Sequence, residues 1–132
     1  MAKKRHKAKS LKSLRAKLDQ VFSLYIRRRD AAPNGIGTCI SCGEVTTLQC
    51  GHFIKRQHLM TRWNDHNAAG QCVRCNHYLG GNEGAFPLAL VKKYGLSEIE
   101  HLMTLKHLPA KFSRTALEGM IKNYESRIAV LD

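Results

Sequence analysis

The chain lacks long apolar runs; its uninterrupted hydrophobic stretches extend only a few residues, as in "IAVL" at 128–131. That excludes a membrane-spanning helix, which needs roughly 20 apolar residues. No apolar segment follows the basic start "MAKKRHKAK", so a secretory signal is not expected. No internal repeat is visible, and no low-complexity segment beyond that start. Acidic residues are scarce: 10 Asp and Glu stand against 22 Lys and Arg, for a net charge of +12. Between residues 3 and 17, Lys3, Lys4, Arg5, Lys7, Lys9, Lys12, Arg15 and Lys17 meet no acid at all. Such a one-sided surface points to a polyanionic partner, with nucleic acid first. The run alone is not specific, because a nuclear-import signal or a solvated surface looks similar.

What is present fits one compact domain of α+β class. The length of 132 residues and a hydrophobic fraction of 43% allow a small packed core. After a basic arm, Leu11, Leu14, Leu18, Phe22 and Tyr25 recur at helical spacing, which predicts an amphipathic helix from Ser10. Its basic residues and Arg27, Arg28 and Arg29 remain available for phosphates. "APNGIG" at 32–37 is turn chemistry that ends this helix. Strands are expected near Val45 to Leu48 and Gly51 to Ile54, paired as a hairpin. "CNHYLGGN" predicts a short helix, Phe86 to Tyr94 a helix stopped by Gly95, and Ser97 with Glu100 a capping box opening the next. Leu117, Ile121, Tyr124 and Ile128 line a final helix. The expected organisation is 1–35, arm and first helix; 36–94, a zinc-stapled core; and 95–132, helices packed on that core.

Four of the five cysteines form two C-x-x-C pairs, Cys39 with Cys42 and Cys72 with Cys75. Each such turn aims two sulfurs at one ion, and two turns complete a tetrahedral zinc site. Disulfides fit poorly without an export signal, and a redox pair would not normally come twice. Four thiolates saturate zinc, so this ion is expected to be structural, a staple for a small core. Cys50 reads as a small strand residue. His6, His101 and His107 read as surface residues, and Trp63 as a core anchor.

The insert between the knuckles carries "GHF" at 51–53 and "WNDHNAAGQCVRCN" at 63–76, followed by "GGN". With "CISCG" ahead of it, this order resembles the HNH, or ββα-metal, endonuclease superfamily, and within it the phage recombination nucleases of the lambda NinG (Rap) type. The resemblance runs from about Thr38 through "KKYG". It implies a zinc-stapled ββα-metal core flanked by an N-terminal basic helix and C-terminal helices. It further implies His52 as general base, Asn67 as the residue that orients the imidazole, and Asn76 as ligand of a catalytic Mg²⁺ or Mn²⁺. Many HNH nucleases carry a second ligand just before the base; here that position is Gly51, so His77, Asn82 and, further off, His66 or His58 are candidates to complete the shell. Each residue also has a plainer reading. His52 can be a surface histidine, Asn67 a turn former and Asn76 a helix cap.

The chemistry suits those residue types. An imidazole accepts a proton near neutral pH, and a hard cation takes amide oxygen. The expected function is therefore a divalent-metal-dependent DNA endonuclease. The resemblance implies branched substrates such as D-loops and Holliday junctions, and action in the cytoplasm of a bacterial host of a phage or prophage. Lys3, Lys4, Arg5, Lys7, Lys9, Lys12, Arg15, Arg27, Arg28, Arg56 and Arg62 are the expected DNA contacts. No membrane partner is expected, and the C-terminal helices either buttress the core or form a homodimer contact. The rival reading is a non-catalytic, zinc-stabilised nucleic-acid-binding module with a degenerate HNH core, for which Gly51 is the best argument.

Overall fold

The computed structural model describes residues 9–132. The N-terminal half opens with α1 (Leu11–Asp30), followed by strands β1 (Ile36–Thr38), β2 (Val45–Thr47) and β3 (Gln49–His52). Then come the short helix α2 (Leu59–Arg62), strand β4 (Ala68–Gln71) and a single π-helical turn at Arg74–Tyr78. Helices α3 (Phe86–Tyr94), α4 (Leu96–Lys106) and α5 (Arg114–Leu131) complete the chain. This is a mixed α+β architecture with two small two-stranded sheets. No described helix is long and apolar enough to cross a membrane.

Helix α1 begins where Ser10 accepts a hydrogen bond from the Ser13 amide at 3.0 Å, satisfying a free N–H of the first turn. Arg27, Arg28 and Arg29 occupy its last turn, where cations complement the helix dipole. Its buried stripe is Leu14, Leu18, Val21, Phe22, Tyr25 and Ile26. Leu11, expected on that face, is 41% exposed, because the stripe begins one turn later. Helix α5 meets it with Leu117, Ile121 and Tyr124, and Trp63 and Ala68 close this core. The Tyr124 hydroxyl donates to the Trp63 carbonyl at 2.5 Å, fixing α5 to the end of α2.

The expected hairpin of 45–48 with 51–54 does not form. β2 pairs antiparallel with β1, and β3 with β4, from Gln49↔Gln71 to His52↔Ala68. Only Leu48 separates β2 from β3, too little chain for a reversal. The reversal lies upstream, in the first cysteine knuckle. There the Gly43 amide donates to the Cys39 carbonyl at 2.9 Å, and the Cys39 amide to the Glu44 carbonyl at 2.8 Å. Gly43 takes φ +79 at this turn, a conformation open to glycine.

The β3–β4 ribbon lies between two helical layers. Ala68 faces the α1–α5 core. Ala69 faces a second core made by Ile54, Phe86, Leu90, Ile99 and Leu102. The small residues of "AAGQ" let both layers approach, and all four are buried. The α1 terminus is pinned to this ribbon by Asp30, which pairs with Arg29 at 2.7 Å and accepts from the Gly70 amide at 2.8 Å. The capping box at Ser97 does not form. Gly95, at φ +94, ends α3 and is itself the residue preceding α4, which places Ser97 inside that helix.

Candidate functional site

The four paired cysteines converge. Their sulfurs all lie within 4.8 Å of one another, and Cys39, Cys72 and Cys75 are buried while Cys42 is exposed. Cys42 and Cys72 Sγ are 3.7 Å apart. A zinc–sulfur bond of about 2.3 Å in a tetrahedron sets a sulfur–sulfur edge of about 3.8 Å. The cluster therefore fits a metal such as zinc, held with all four positions filled. The Cys75 amide and the Asn82 side chain donate at 3.4 Å to Cys72 Sγ and Cys75 Sγ. Burial opposes a charge on Cys39, yet backbone N–H groups of Cys72, Cys42 and Ser41 bring its thiol down to about 7. Cys50 lies outside the cluster, half-buried against the α1 side, and burial pushes its thiol up to about 12.

His52 ends β3, its ring against Phe22 at 5.6 Å between centroids. Its Nε2 lies 2.9 Å from the Arg62 carbonyl. A carbonyl only accepts, so Nε2 carries the proton and Nδ1 of the neutral ring holds the free lone pair. Burial pushes the imidazole down to about 4; the Arg62 carbonyl raises it and the Arg56 charge lowers it, without reversing the effect. The ring thus stays neutral at physiological pH.

Asn67 does not orient the ring. Its amide is fully buried and committed elsewhere: Oδ1 accepts from the Ile54 amide at 2.8 Å, and Nδ2 donates to the carbonyls of Ile54 and Thr61, both at 3.0 Å. Those bonds tie the β3 exit to α2. They hold the segment that presents the Arg62 carbonyl, so Asn67 acts on His52 through the backbone.

His52 lines a groove of about 340 Å³ with Asp19, Ser23, Arg27, Cys50 and Arg56. Asn76 lines an adjoining hollow of about 440 Å³ that shares Ser23, Arg27 and Cys50 with the first. The two residues therefore border adjoining compartments, which share three lining residues, along a channel between α1 and β3. Asn76 donates its amide to Gln49 Oε1 at 2.9 Å. Among the described residues, the cysteine cluster is the only group of three or more His, Cys, Asp or Glu placed to hold an ion. His77 is exposed and packs edge-on to Tyr78, Asn82 serves the Cys75 sulfur, and His66 is bonded to Glu98 at 3.1 Å. None of them joins Asn76 in a shell. These residues do not form a cage for a resident hard cation.

Asp19 is the acid of this site, and the sequence reading missed it. It pairs with Arg62 and Arg56 and accepts from Trp63 Nε1 at 2.9 Å. Burial works against its charge, but Arg62 and Trp63 hold its carboxyl below the usual value. Its signal was available: Asp19 is the only acid before Asp30. This pairing also corrects the expected DNA contacts. Arg62 is largely buried against Asp19. Arg28 is turned to Asp132 at 2.6 Å. Arg56 is 57% exposed and reaches Asp19 with one nitrogen, leaving most of its fork free. Arg27 borders both compartments. Lys9 and Lys12 are exposed and Arg15 half-exposed around the start of α1. Lys3, Lys4, Arg5 and Lys7 lie outside the described residues.

With fold and site in view, comparison with known proteins places the chain. All of it, residues 1–132, matches the family described as Bacteriophage Lambda NinG protein, and the chain belongs to that family. It is 30% identical over 86 residues to Protein ninG of Escherichia phage lambda, and 29% identical over 86 residues to Protein ninG of Salmonella phage P22. Each alignment covers 63% of this chain and 40% of the relative, so the chain spans about two fifths of the length of these relatives. No solved structure matches it.

Proposed function

We propose that this NinG-family chain is a DNA endonuclease of HNH type, acting in the phage-infected host cell on branched recombination intermediates, with Mg²⁺ or Mn²⁺ required. The observation that carries this reading is His52: a half-buried neutral imidazole, its Nε2–H tethered to the Arg62 carbonyl, bordering a groove flanked by Arg27 and Arg56. A histidine serving only the core has no need of a cationic channel beside it.

In this mechanism a phosphodiester lies in the channel with its non-bridging oxygens on Arg27 and Arg56. A water adds to phosphorus as its proton passes to His52 Nδ1. The bond to the 3′ oxygen breaks, and that oxygen takes a proton from solvent. The arginines stabilise the added charge of the transition state. A pKa of about 4 makes the free ring a weak base. Bound phosphate brings negative charge beside it and draws that value toward neutrality, where a general base works best. Asn76 alone does not build a metal site, so no step is assigned to the ion. A magnesium ion of this kind arrives largely on substrate phosphates and keeps its waters.

The test is cleavage of branched and linear duplex DNA by zinc-loaded wild type and His52→Ala, each with Mg²⁺, with Mn²⁺ or with neither ion added. Metal-dependent cutting that vanishes in His52→Ala while binding persists supports the proposal, and preference for branched DNA supports the substrate class. Binding without cutting in every condition favours the second reading, a zinc-stabilised binding module. The lack, among the described residues, of a carboxylate or histidine shell around Asn76 is the observation on that side.

A further inference from the structure

A second cavity, of about 370 Å³, opens from the His52 strand end on the side of α3 and α4. The cleavage mechanism leaves it unused. Its walls are the half-buried Phe53 and Pro87 and the exposed Met103, backed by the buried Phe86, with the Phe53 and Phe86 rings edge to face at 6.4 Å. Its rim carries Lys55 and Lys106. Lys55 is exposed and spends one of its three protons on the Gly80 carbonyl at 2.9 Å. Gln57 and Glu83 add polar groups to the same rim.

This combination is selective about its occupant. An apolar, aromatic-walled slot takes a flat ring and removes it from water. Two ammonium groups at the mouth take the phosphate attached to it. The carboxylate of Glu83 and the amide of Gln57 can bond the edge of a heterocycle. A neutral peptide side chain would use the slot but not the lysines. The chain's net charge of +12 favours a polyanionic strand over other apolar ligands.

We infer that this cavity captures one unpaired nucleobase of a DNA strand whose backbone continues through the His52 channel. The inference rests on the nuclease reading for its strand path and gives a physical source for branch selectivity. A base in intact duplex must be unstacked and unpaired before it can enter, whereas one at a junction or bulge is already free. His52 borders both hollows, so the captured base would sit next to the phosphate under attack.

The experiment measures binding by the zinc-loaded protein with no Mg²⁺ or Mn²⁺ added, where no cleavage is expected, on duplexes with a single-nucleotide bulge that either carries a base or is abasic. Wild type should bind the base-bearing bulge more tightly by roughly 5- to 150-fold, the range of one base–aromatic stack. Met103→Glu, at a wall position that is 52% exposed, should remove that preference. Leu96→Glu, at an exposed position away from the cavity, changes the net charge equally and should keep it. Equal affinity for the two bulges in wild type overturns the inference, as does a preference that survives Met103→Glu. The same DNAs with Mg²⁺ or Mn²⁺ then test the nuclease reading separately. Base preference without cutting would refute that reading and leave the base site standing, and cutting without base preference would do the reverse.

Discussion

Gly51 directly precedes His52 in β3, and the space beside it is filled. A Cβ at position 51 would lie 1.9 Å from Gln71 Oε1, 2.7 Å from Cδ and 3.0 Å from Cγ. Carbon and oxygen ordinarily approach to about 3.3 Å, so the amide oxygen would have to retreat by about 1.4 Å. It is not free to do so. Gln71 is fully buried, and its Nε2 is held by Ser41 Oγ at 2.7 Å and the Gly81 carbonyl at 2.9 Å. Gly51→Ala should therefore cost about 1–3 kcal/mol in overpacking and about 1 kcal/mol for each strained hydrogen bond. The stiffer unfolded chain offsets under about 1 kcal/mol. The expected net loss is about 2–4 kcal/mol. Gln71 Oε1 has no hydrogen-bond partner among the described residues, so the contact to relieve is purely steric. In Gly51→Ala with Gln71→Ala the new methyl enters vacated space, and the double variant should be more stable than the sum of the singles by at least about 1.5 kcal/mol. Urea unfolding of the zinc-loaded proteins, with midpoints and slopes compared, measures all four corners of the cycle. A Gly51→Ala protein within about 0.5 kcal/mol of wild type, or additive costs, would refute the packing argument. By the same geometry, an Asp or His installed at 51 should destabilise the fold.

Three other outcomes are expected. Chelating zinc, or Cys72→Ser, should unfold the β1–β2 hairpin and the π-helical turn together, seen as loss of helix signal and amide protection, because the cluster joins the two. His52 titrates near 4 when folded, below the unfolded value of about 6.5. The unfolded chain thus takes the proton first as pH falls. Its stability contribution is complete above about pH 6.5 and lost toward pH 4, on the order of 3 kcal/mol. His52→Gln, which keeps a donor for the Arg62 carbonyl, should flatten that slope in unfolding measurements across this pH range. DNA affinity should fall by about 0.9 log units per log unit of salt for each phosphate contact. Arg27→Ala should reduce the slope by about one, whereas Arg28→Ala, paired with Asp132, should leave it unchanged.

Local chemistry was legible in the residues themselves. Ser10 starting α1, Gly95 ending α3, the apolar face of α5 and the two cysteine knuckles each depend on groups within about one helical turn of one another, so spacing suffices to identify them. Partnerships across the chain were not. Strand β2 chose β1 because the knuckle between them is the turn, and β3 reached β4 across the 15 positions from His52 to Asn67. The ring of His52 found the Arg62 carbonyl and left Asn67 to brace the loop. Arg62 was claimed by Asp19, 43 positions away, and Gly51 by Gln71. A sequence states which side chains can donate, accept or carry charge; which of them meet depends on how helices pack on the two faces of one short ribbon. Burial then decides the outcome, because a buried polar group must take the partner within reach.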